Sequence, residues 1–239
     1  MRFLDLTLAT PAANLACDES LLDWRDDDGP DDILRVWESR EHFVVLGYAN
    51  PIRQSVHEEA CRTRGISVLR RCSGGGTVLQ GPGSLNFSLI VRHDGGGPFG
   101  GIAAATRHVL SRHQTLLQSL LREPVALHGP SDLAIARRKV SGNAQRRKRR
   151  TTLFHGTFLL GLDVALVEAV LPMPSLQPPY RAQRPHADFL TNLPVLRPVL
   201  VDALRTAWQA VAPLEDVPVS AMDRLVATRY ATAAWTHRC

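Results

Sequence analysis

Two stretches of the chain carry residues that could do chemistry. One is RRKVSGNAQ, residues 137–145, in which Lys139 directly precedes a Ser-Gly-Asn turn. The other is RRCSGGGTVLQGPGSLNFSLI, residues 70–90, with Gly74, Gly75 and Gly76 in succession. The lysine is either a solvated hairpin cation or an ammonium held to meet one negative charge. Glycines after a strand leave the backbone free of Cβ atoms, so its N–H groups can approach a ligand closely and donate to phosphate or carboxylate oxygens. No Gly-Lys-Ser/Thr follows, so the loop is not a Walker loop. A strand rather than a long helix follows, so it is not a dinucleotide fingerprint. A glycine-rich hairpin without a ligand fits the same composition.

The elements that position these residues read as mixed. MRFLDLTL is a short strand. Thr10 is a good helix N-cap with Pro11 at the first helical position, and the helix is expected to reach about Trp24 with Leu15, Leu21 and Leu22 inward. DDDGPDD, residues 26–32, is a turn. ILRVW and HFVVLGY read as antiparallel strands joined by a polar turn. Ser55 and Glu58 form a capping box for a helix through about Arg64. ISVLRR feeds the glycine loop, and TVLQ and NFSLIVR are the next strands. GGGPFGG, residues 95–101, breaks the chain before a helix from about Ile102 to Leu121. DLAIA, KVSGNAQ and TLFHGTFLLGLD are strands separated by basic turns, with a short helix following near Val164–Leu171. A proline-rich loop leads to an amphipathic helix at 196–211. The pattern is α+β, a mixed, largely antiparallel arrangement flanked by helices rather than a doubly wound sheet.

Composition sets limits. The chain has 239 residues, 44% of them hydrophobic, which suits one large domain or a domain with a small appendage. The division expected is one domain over 1–239, with a core to about 195 and a helical end from 196. No run approaches the ~18 apolar residues of a membrane span, and the N-terminus reads as carrying no secretory signal. Cys17, Cys61, Cys72 and Cys239 lack C-x-x-C spacing and fit free thiols in a reducing cytoplasm. The net charge of +5 draws heavily on residues 137–150. It suits an acidic protein partner or phosphate groups better than extended nucleic acid, and aromatics at 6% supply no base-stacking platform.

RRCSGGGTVLQGPGSLNFS resembles the lipoate-binding loop of the lipoate–protein ligase A family, R-R-x-S-G-G-G-x-V followed by Gly and Asn. KVSGNAQ resembles that family's lysine motif, K-[VI]-[SA]-G-[NS]-A. NLACDESLL and VVLGYANP resemble its N-terminal helix and the strand and loop after it, and HGTFLLGLD its H-G-[ST]-x-L-x strand. The motifs stand in the family's order over roughly residues 1–170. The resemblance implies the class II synthetase-like fold shared by biotin ligases, lipoate ligases and octanoyltransferases. Two departures stand out. Gln80 occupies a position where the family's ligases often carry His, and too little sequence follows the core for the accessory C-terminal domain of two-domain ligases, so a separate subunit supplies that part or the catalytic domain works alone.

The resemblance implies ATP and Mg²⁺ as cofactors and lipoate or octanoate as substrate. The acid is joined to AMP and then passed to a lysine on an acceptor protein. Lys139 is the expected catalytic cation, near both the α-phosphate and the acyl carbonyl. Arg71, Ser73, Gly74, Gly75, Gly76, Thr77, Val78 and Asn86 are expected to wall the substrate and ATP pocket, together with Ser141, Gly142, Asn143 and Ala144 behind the lysine. Asp132 matches an acidic position that could help hold Mg²⁺; a turn aspartate is the alternative. His155 is expected to be structural. Expected partners are acidic lipoyl-accepting proteins: a dehydrogenase acyltransferase subunit, a glycine-cleavage H protein or a lipoate-binding protein of sulfur metabolism. The basic run 146–150 would form a positive steering rim for them. The rival is an octanoyltransferase that holds the acyl group on cysteine. The cysteine-dependent relatives place that residue shortly before the lysine motif, and VALHGPSDLAIARRK has none.

Overall fold

Thr10 and Pro11 open the first helix as their types demand. The Ala13 amide donates to Thr10 Oγ1 at 3.2 Å, and α1 runs Pro11–Asp27, one turn further than the sequence suggested. The computed structural model describes residues 1–27, 29–93 and 96–239. Asp28 of the acidic turn and Gly95 of the glycine break lie outside the described residues.

The strands are β1 (Arg2–Asp5), β2 (Ile33–Trp37), β3 (Phe43–Leu46), β4 (Ser67–Arg70), β5 (Val78–Gln80), β6 (Ser84–Arg92), β7 (Val125–His128), β8 (Asp132–Ile135), β9 (Arg138–Arg147), β10 (Thr151–Leu159) and β11 (Ala212–Pro213). After α1 come α2 (Ile52–Ser55), α3 (Glu58–Thr63), α4 (Ile102–Leu120), α5 (Val164–Val170), α6 (His186–Phe189), α7 (Arg197–Ala207), α8 (Val219–Leu225) and α9 (Ala233–Thr236). The large sheet has the order β11-β1-β2-β6-β10-β9-β8-β7, and a second sheet has the order β4-β3-β5. In the large sheet only the β11-β1-β2 edge is parallel, and in the small one only β3-β4. The remaining pairs are antiparallel, so the mixed, largely antiparallel α+β reading holds.

Alternation along the strands sorts side chains between two faces of the large sheet. Leu34, Leu85, Phe87, Leu89, Phe154 and Phe158 pack on one face against Val109 and Leu117 of α4 and Leu200 and Leu204 of α7. Ile33, Ile90 and Leu153 on the other face meet Leu15, Leu21 and Leu22 of α1 and Phe43 and Val45 of the small sheet. The functional residues sit on this second face. No helix among the described residues is long and apolar enough to cross a membrane.

Two local readings are corrected. β2 and β3 do not form a hairpin: every residue of both is buried, so neither can serve as a half-solvated arm, and each takes an interior place in a different sheet. Ser55 closes α2, and α3 starts from His57 without a side-chain cap, so the Ser55–Glu58 capping box is not formed. The region after 196 also holds more than one helix. α7 ends at Ala207, β11 then pairs with β1, and α8, a π-turn at Val226–Tyr230 and α9 follow.

A buried polar knot joins α1 to the sheet. Arg35 Nη1 donates to Asp18 Oδ1 at 2.6 Å, and Arg35 Nη2 donates to Asn14 Oδ1 at 2.8 Å and to the Leu6 carbonyl at 3.0 Å. Ser88 donates to Asp18 Oδ2 at 2.8 Å. Burial pushes the Asp18 carboxyl up, but Arg35, His155 and Ser88 outweigh it and hold it below the usual range. The resulting stabilisation is full above the unfolded carboxylate's pKa of about 4. It is lost as the pH falls through the lower folded value. Removing the cation leaves a buried charge unmatched. Arg35→Met is therefore expected to lower the unfolding free energy by about 3–5 kcal/mol at neutral pH, read from urea denaturation. A loss within experimental error would remove the knot from the list of what holds α1.

Candidate active site

Lys139 reaches the site because of an irregularity in its strand. The β8–β9 register shifts between Leu133 and Ala134, which pair with Ser141 and Lys139, so β9 carries one extra residue at Val140. In a regular strand residues 139 and 142 would face opposite ways; the bulge turns Lys139 onto the face of Gly142. Its side chain then lies across Gly142, where a Cβ would stand 2.6 Å from Lys139 Nζ. Nζ meets Asp132 Oδ1 at 2.8 Å, and the lysine side chain keeps 23% of its exposure against 8% for Asp132. Tyr180 donates to Asp132 Oδ2 at 2.8 Å and stacks on His128 at 4.6 Å between centroids. Burial and then Asp132 push the Tyr180 phenol up, so it stays a donor. Residues 190–191 close the strand from outside: Leu190 bridges Lys139, and the Thr191 amide donates to its carbonyl at 3.0 Å.

Cross-strand pairing places the neighbours. One row over the large sheet runs Asp132–Gly142–Thr157–Asn86–Trp37 and the next runs Ala144–His155–Ser88–Arg35. Thr157 donates to Asn86 Oδ1 and accepts from Gln80 Nε2, both at 2.7 Å, so Gln80 bridges the two sheets, and its Oε1 is buried without a partner. Ser141 and Asn143 point to the opposite face. Ser141 pairs with the core residue Phe158, and Asn143 donates to the Ser131 carbonyl at 2.8 Å. Of the four residues expected behind the lysine, Gly142 and Ala144 therefore face the site and the other two brace the strand from behind.

The glycine loop roofs this floor. Arg71 is its internal clamp: Nε donates to Ser73 Oγ at 3.0 Å, and Nη2 donates to the carbonyls of Gly74 at 2.5 Å and Gly76 at 2.8 Å. Burial brings the Arg71 guanidinium down to about 10. With its donors turned onto the loop, it shapes the pocket wall from within. Ser73 Oγ lies 2.6 Å from His155 Nε2, whose other nitrogen is 3.7 Å from Asp18. Gly75 has φ +88 and passes 3.5 Å from Ala144 at its Cβ position. At Gly74 and Gly76 a Cβ would meet nothing within 4 Å, so the loop borders open space. Thr77 Oγ1 lies 3.0 Å from the Asn50 amide group, and Val78 begins β5, half-buried against the core. A cavity of about 260 Å³ opens here, bordered by Tyr48, Asn50, Gly74 and Gly75.

Arg70 ties the loop to distant segments. Its Nη1 donates to the carbonyls of Gly47 at 2.9 Å and Asn50 at 2.9 Å, and its Nη2 to Thr236 at 2.7 Å. Trp235 Nε1 donates back to the Arg70 carbonyl at 2.8 Å. Gly47 permits the approach, because a Cβ there would stand 2.0 Å from the Gly75 carbonyl oxygen. Sequence reasoning did not find Tyr180, Thr157, Asp18 or Trp235 as contributors to this region. The tyrosine's only signal is its place in the proline-rich loop.

A lysine is held over a glycine by an aspartate, on the sheet face that the glycine-rich loop covers and within a mixed α+β frame. The profile of the lipoyl protein ligase A/B catalytic domain matches residues 10–210, and the chain belongs to that family of lipoate ligases and octanoyltransferases. It is 30% identical over 213 residues to a putative lipoate-protein ligase A of Aeropyrum pernix, covering 89% of this chain and 76% of that one. It is 26% identical over 212 residues to the octanoyltransferase LipM of Geobacillus kaustophilus, covering 77% and 73%. Its fold matches a bipartite lipoate protein ligase from Thermoplasma acidophilum, solved in a study of that ligase and its E2 lipoyl domain, with a TM-score of 0.81 and 23% identity over 99% and 95% of the two chains. It also matches a lipoate-protein ligase A bound with ATP, with a TM-score of 0.78 and 24% identity over 99% and 98%. At these identities the solved structures show the fold alone.

The missing Cβ of Gly142 is what lets the ammonium lie where it does. In Gly142→Ala the new methyl meets only the far end of a flexible side chain, so stability is expected to change by less than about 1 kcal/mol. The lysine is displaced, and turnover should fall by roughly 100-fold. Thermal unfolding and a lipoylation assay check both parts; normal turnover would show that the lysine does not need this path.

Proposed function

We propose that the protein is an ATP-dependent lipoate–protein ligase. Lipoate or octanoate attacks the α-phosphate of ATP, pyrophosphate leaves, and the acyl-adenylate passes its acyl group to the ε-amine of an acceptor lysine with release of AMP. Lys139 carries the reaction. Its ammonium has three donors, one of them spent on Asp132, so the others can meet a phosphate oxygen and the acyl carbonyl without a large reorganisation. The exposed backbone of Gly74–Gly76 borders the substrate. Asp132 offers one carboxylate, already shared between Lys139 and Tyr180, and no group of three or more His, Cys, Asp or Glu among the described residues is placed to hold a metal. Mg²⁺ would therefore arrive with the ATP phosphates and take at most Asp132 from the protein.

The observation that favours a ligase over a thioester-forming transferase is the state of the thiols. Cys17, Cys61 and Cys72 are buried, and Cys239, the exposed one, turns its thiol onto the Tyr48 carbonyl at 3.8 Å. Cys72, the one within the glycine loop, is pushed up to about 12 by burial, far from the thiolate a nucleophile requires. The second reading, octanoyl transfer from acyl carrier protein, is supported by relatives such as the G. kaustophilus LipM. Acceptors of the class expected here are a dehydrogenase acyltransferase subunit, a glycine-cleavage H protein or a lipoate-binding protein of sulfur metabolism, in the cytoplasm. The name of the bipartite T. acidophilum ligase supports a separate accessory subunit for this chain as well.

Incubating the pure protein with lipoate, Mg-ATP and acceptor, then weighing the acceptor, should show one lipoyl addition that disappears without ATP. Octanoyl carrier protein offered in place of ATP and lipoate should give none; efficient transfer from it would move the assignment to the second reading. In Lys139→Ala, pyrophosphate release with lipoate and ATP is expected to fall by at least about 100-fold, with the fold retained by circular dichroism. Undiminished release would remove Lys139 from the adenylation step.

A further inference from the structure

The basic run at the end of β9 is not a uniform positive rim. Lys148 pairs with Asp23 at 2.6 Å, Arg150 Nη2 donates to the Asp26 carbonyl at 2.7 Å, and Arg147 Nη1 donates to Thr152 Oγ1 at 2.9 Å. Lys148 thereby has its charge answered by a carboxylate, while Arg147 and Arg150 have their guanidinium donors turned onto neutral oxygens of the protein itself. Arg146 and Arg149 remain exposed with no ion pair among the described residues. They differ in place. Arg146 shares the face of Ala144 and stands at the edge of the glycine-loop cavity, whereas Arg149 sits in the turn beyond the strand, about 10 Å further along at ~3.3 Å per residue.

A second unpaired cation arrives beside Arg146 from the far end of the chain. Arg238 Cζ lies 4.0 Å from the Tyr48 ring centroid and 4.9 Å from that of Trp235, and Arg146 Cζ lies 5.6 Å from Tyr48. Tyr48 and Trp235 meet edge to face at 5.9 Å. Cation–π contact holds each guanidinium in place but does not neutralise it. Two like charges on one ring repel, and no carboxylate among the described residues pairs with either. An arrangement that fixes two planar, bidentate donors at a cavity mouth and leaves them uncompensated is complementary to carboxylates.

From this geometry we infer that Tyr48, Arg146 and Arg238 form the docking surface for the acceptor protein, and that they engage an acidic segment flanking its target lysine. The inference rests on the acyl-transfer reading above, since handing an acyl group to a protein lysine requires a second protein at this mouth. It gives the segment after residue 210, which lies outside the family's matched region, a part in choosing the partner. It also separates local docking from general electrostatic steering, which would draw on Arg149 equally.

The test uses a purified lipoyl-accepting domain of a dehydrogenase acyltransferase subunit as probe, with lipoate and Mg-ATP, and compares Arg146→Glu, Arg238→Glu and Arg149→Glu. All three make the same change in net charge. Arg146→Glu and Arg238→Glu are expected to raise the acceptor KM about tenfold with little change in kcat, and Arg149→Glu less than about twofold. Acceptor carboxylates changed to amides should shrink the first two effects, and added salt should do likewise. An equal rise for Arg149→Glu, or an unchanged KM for Arg146→Glu and Arg238→Glu, overturns the docking surface. Pyrophosphate release by the unsubstituted protein, measured without acceptor, tests the ligase reading separately. If it is absent, that reading fails and the same KM comparison is made with octanoyl carrier protein as donor.

Discussion

A lysine ammonium in a partly closed cleft must have its charge answered and its direction fixed, and the structure meets both needs with one contact. The Lys139–Asp132 pair at 2.8 Å supplies the counter-charge, and the bare Cα of Gly142 supplies the path. Everything near the pair serves its geometry. The extra residue at Val140 turns the side chain, Tyr180 fixes the second carboxylate oxygen, and the strand-like bridge at Leu190 holds the lysine backbone from outside. The lysine thus comes from a β-strand, the aspartate from its neighbour and the phenol from a loop 48 positions away. A cluster assembled from three segments has its direction fixed by the tertiary fold itself.

The glycine loop follows another logic. Its two arginines, adjacent in sequence, do unlike work: Arg71 binds the loop's own carbonyls, and Arg70 binds carbonyls of two other segments. Both use guanidinium donors on backbone oxygens, where a lysine could not span several acceptors at once. The loop's glycines are therefore free to face outward, since the arginines beneath them carry the load of holding the turn.

Much of this was legible in residue types. The Thr10–Pro11 start of α1, the span of α4 and the glycine turn at 74–76 could be read because each depends on local rules: caps, breakers, and glycine where Cβ atoms would intrude. What could not be read depends on pairing between distant segments. Nothing local marks Val140 as a bulge, or says that β2 and β3 belong to different sheets. Tyr180 sits in a stretch whose prolines announce only a loop. The run at 146–150 looked like one positive patch, and only the positions of Asp23, Asp26 and Thr152 divide it into cations whose donors are engaged within the protein and cations that project from it.

The bond between Arg70 and the carbonyls of Trp235 and Thr236 spans 165 positions and more. During synthesis the loop's residues leave the ribosome early, yet this anchor cannot form until its partner segment has also emerged. At roughly 5–20 residues per second, the cleft stays unfastened for some ten to thirty seconds of elongation. Until then the guanidinium of Arg70 has the carbonyls of Gly47 and Asn50 within reach but not that of Thr236.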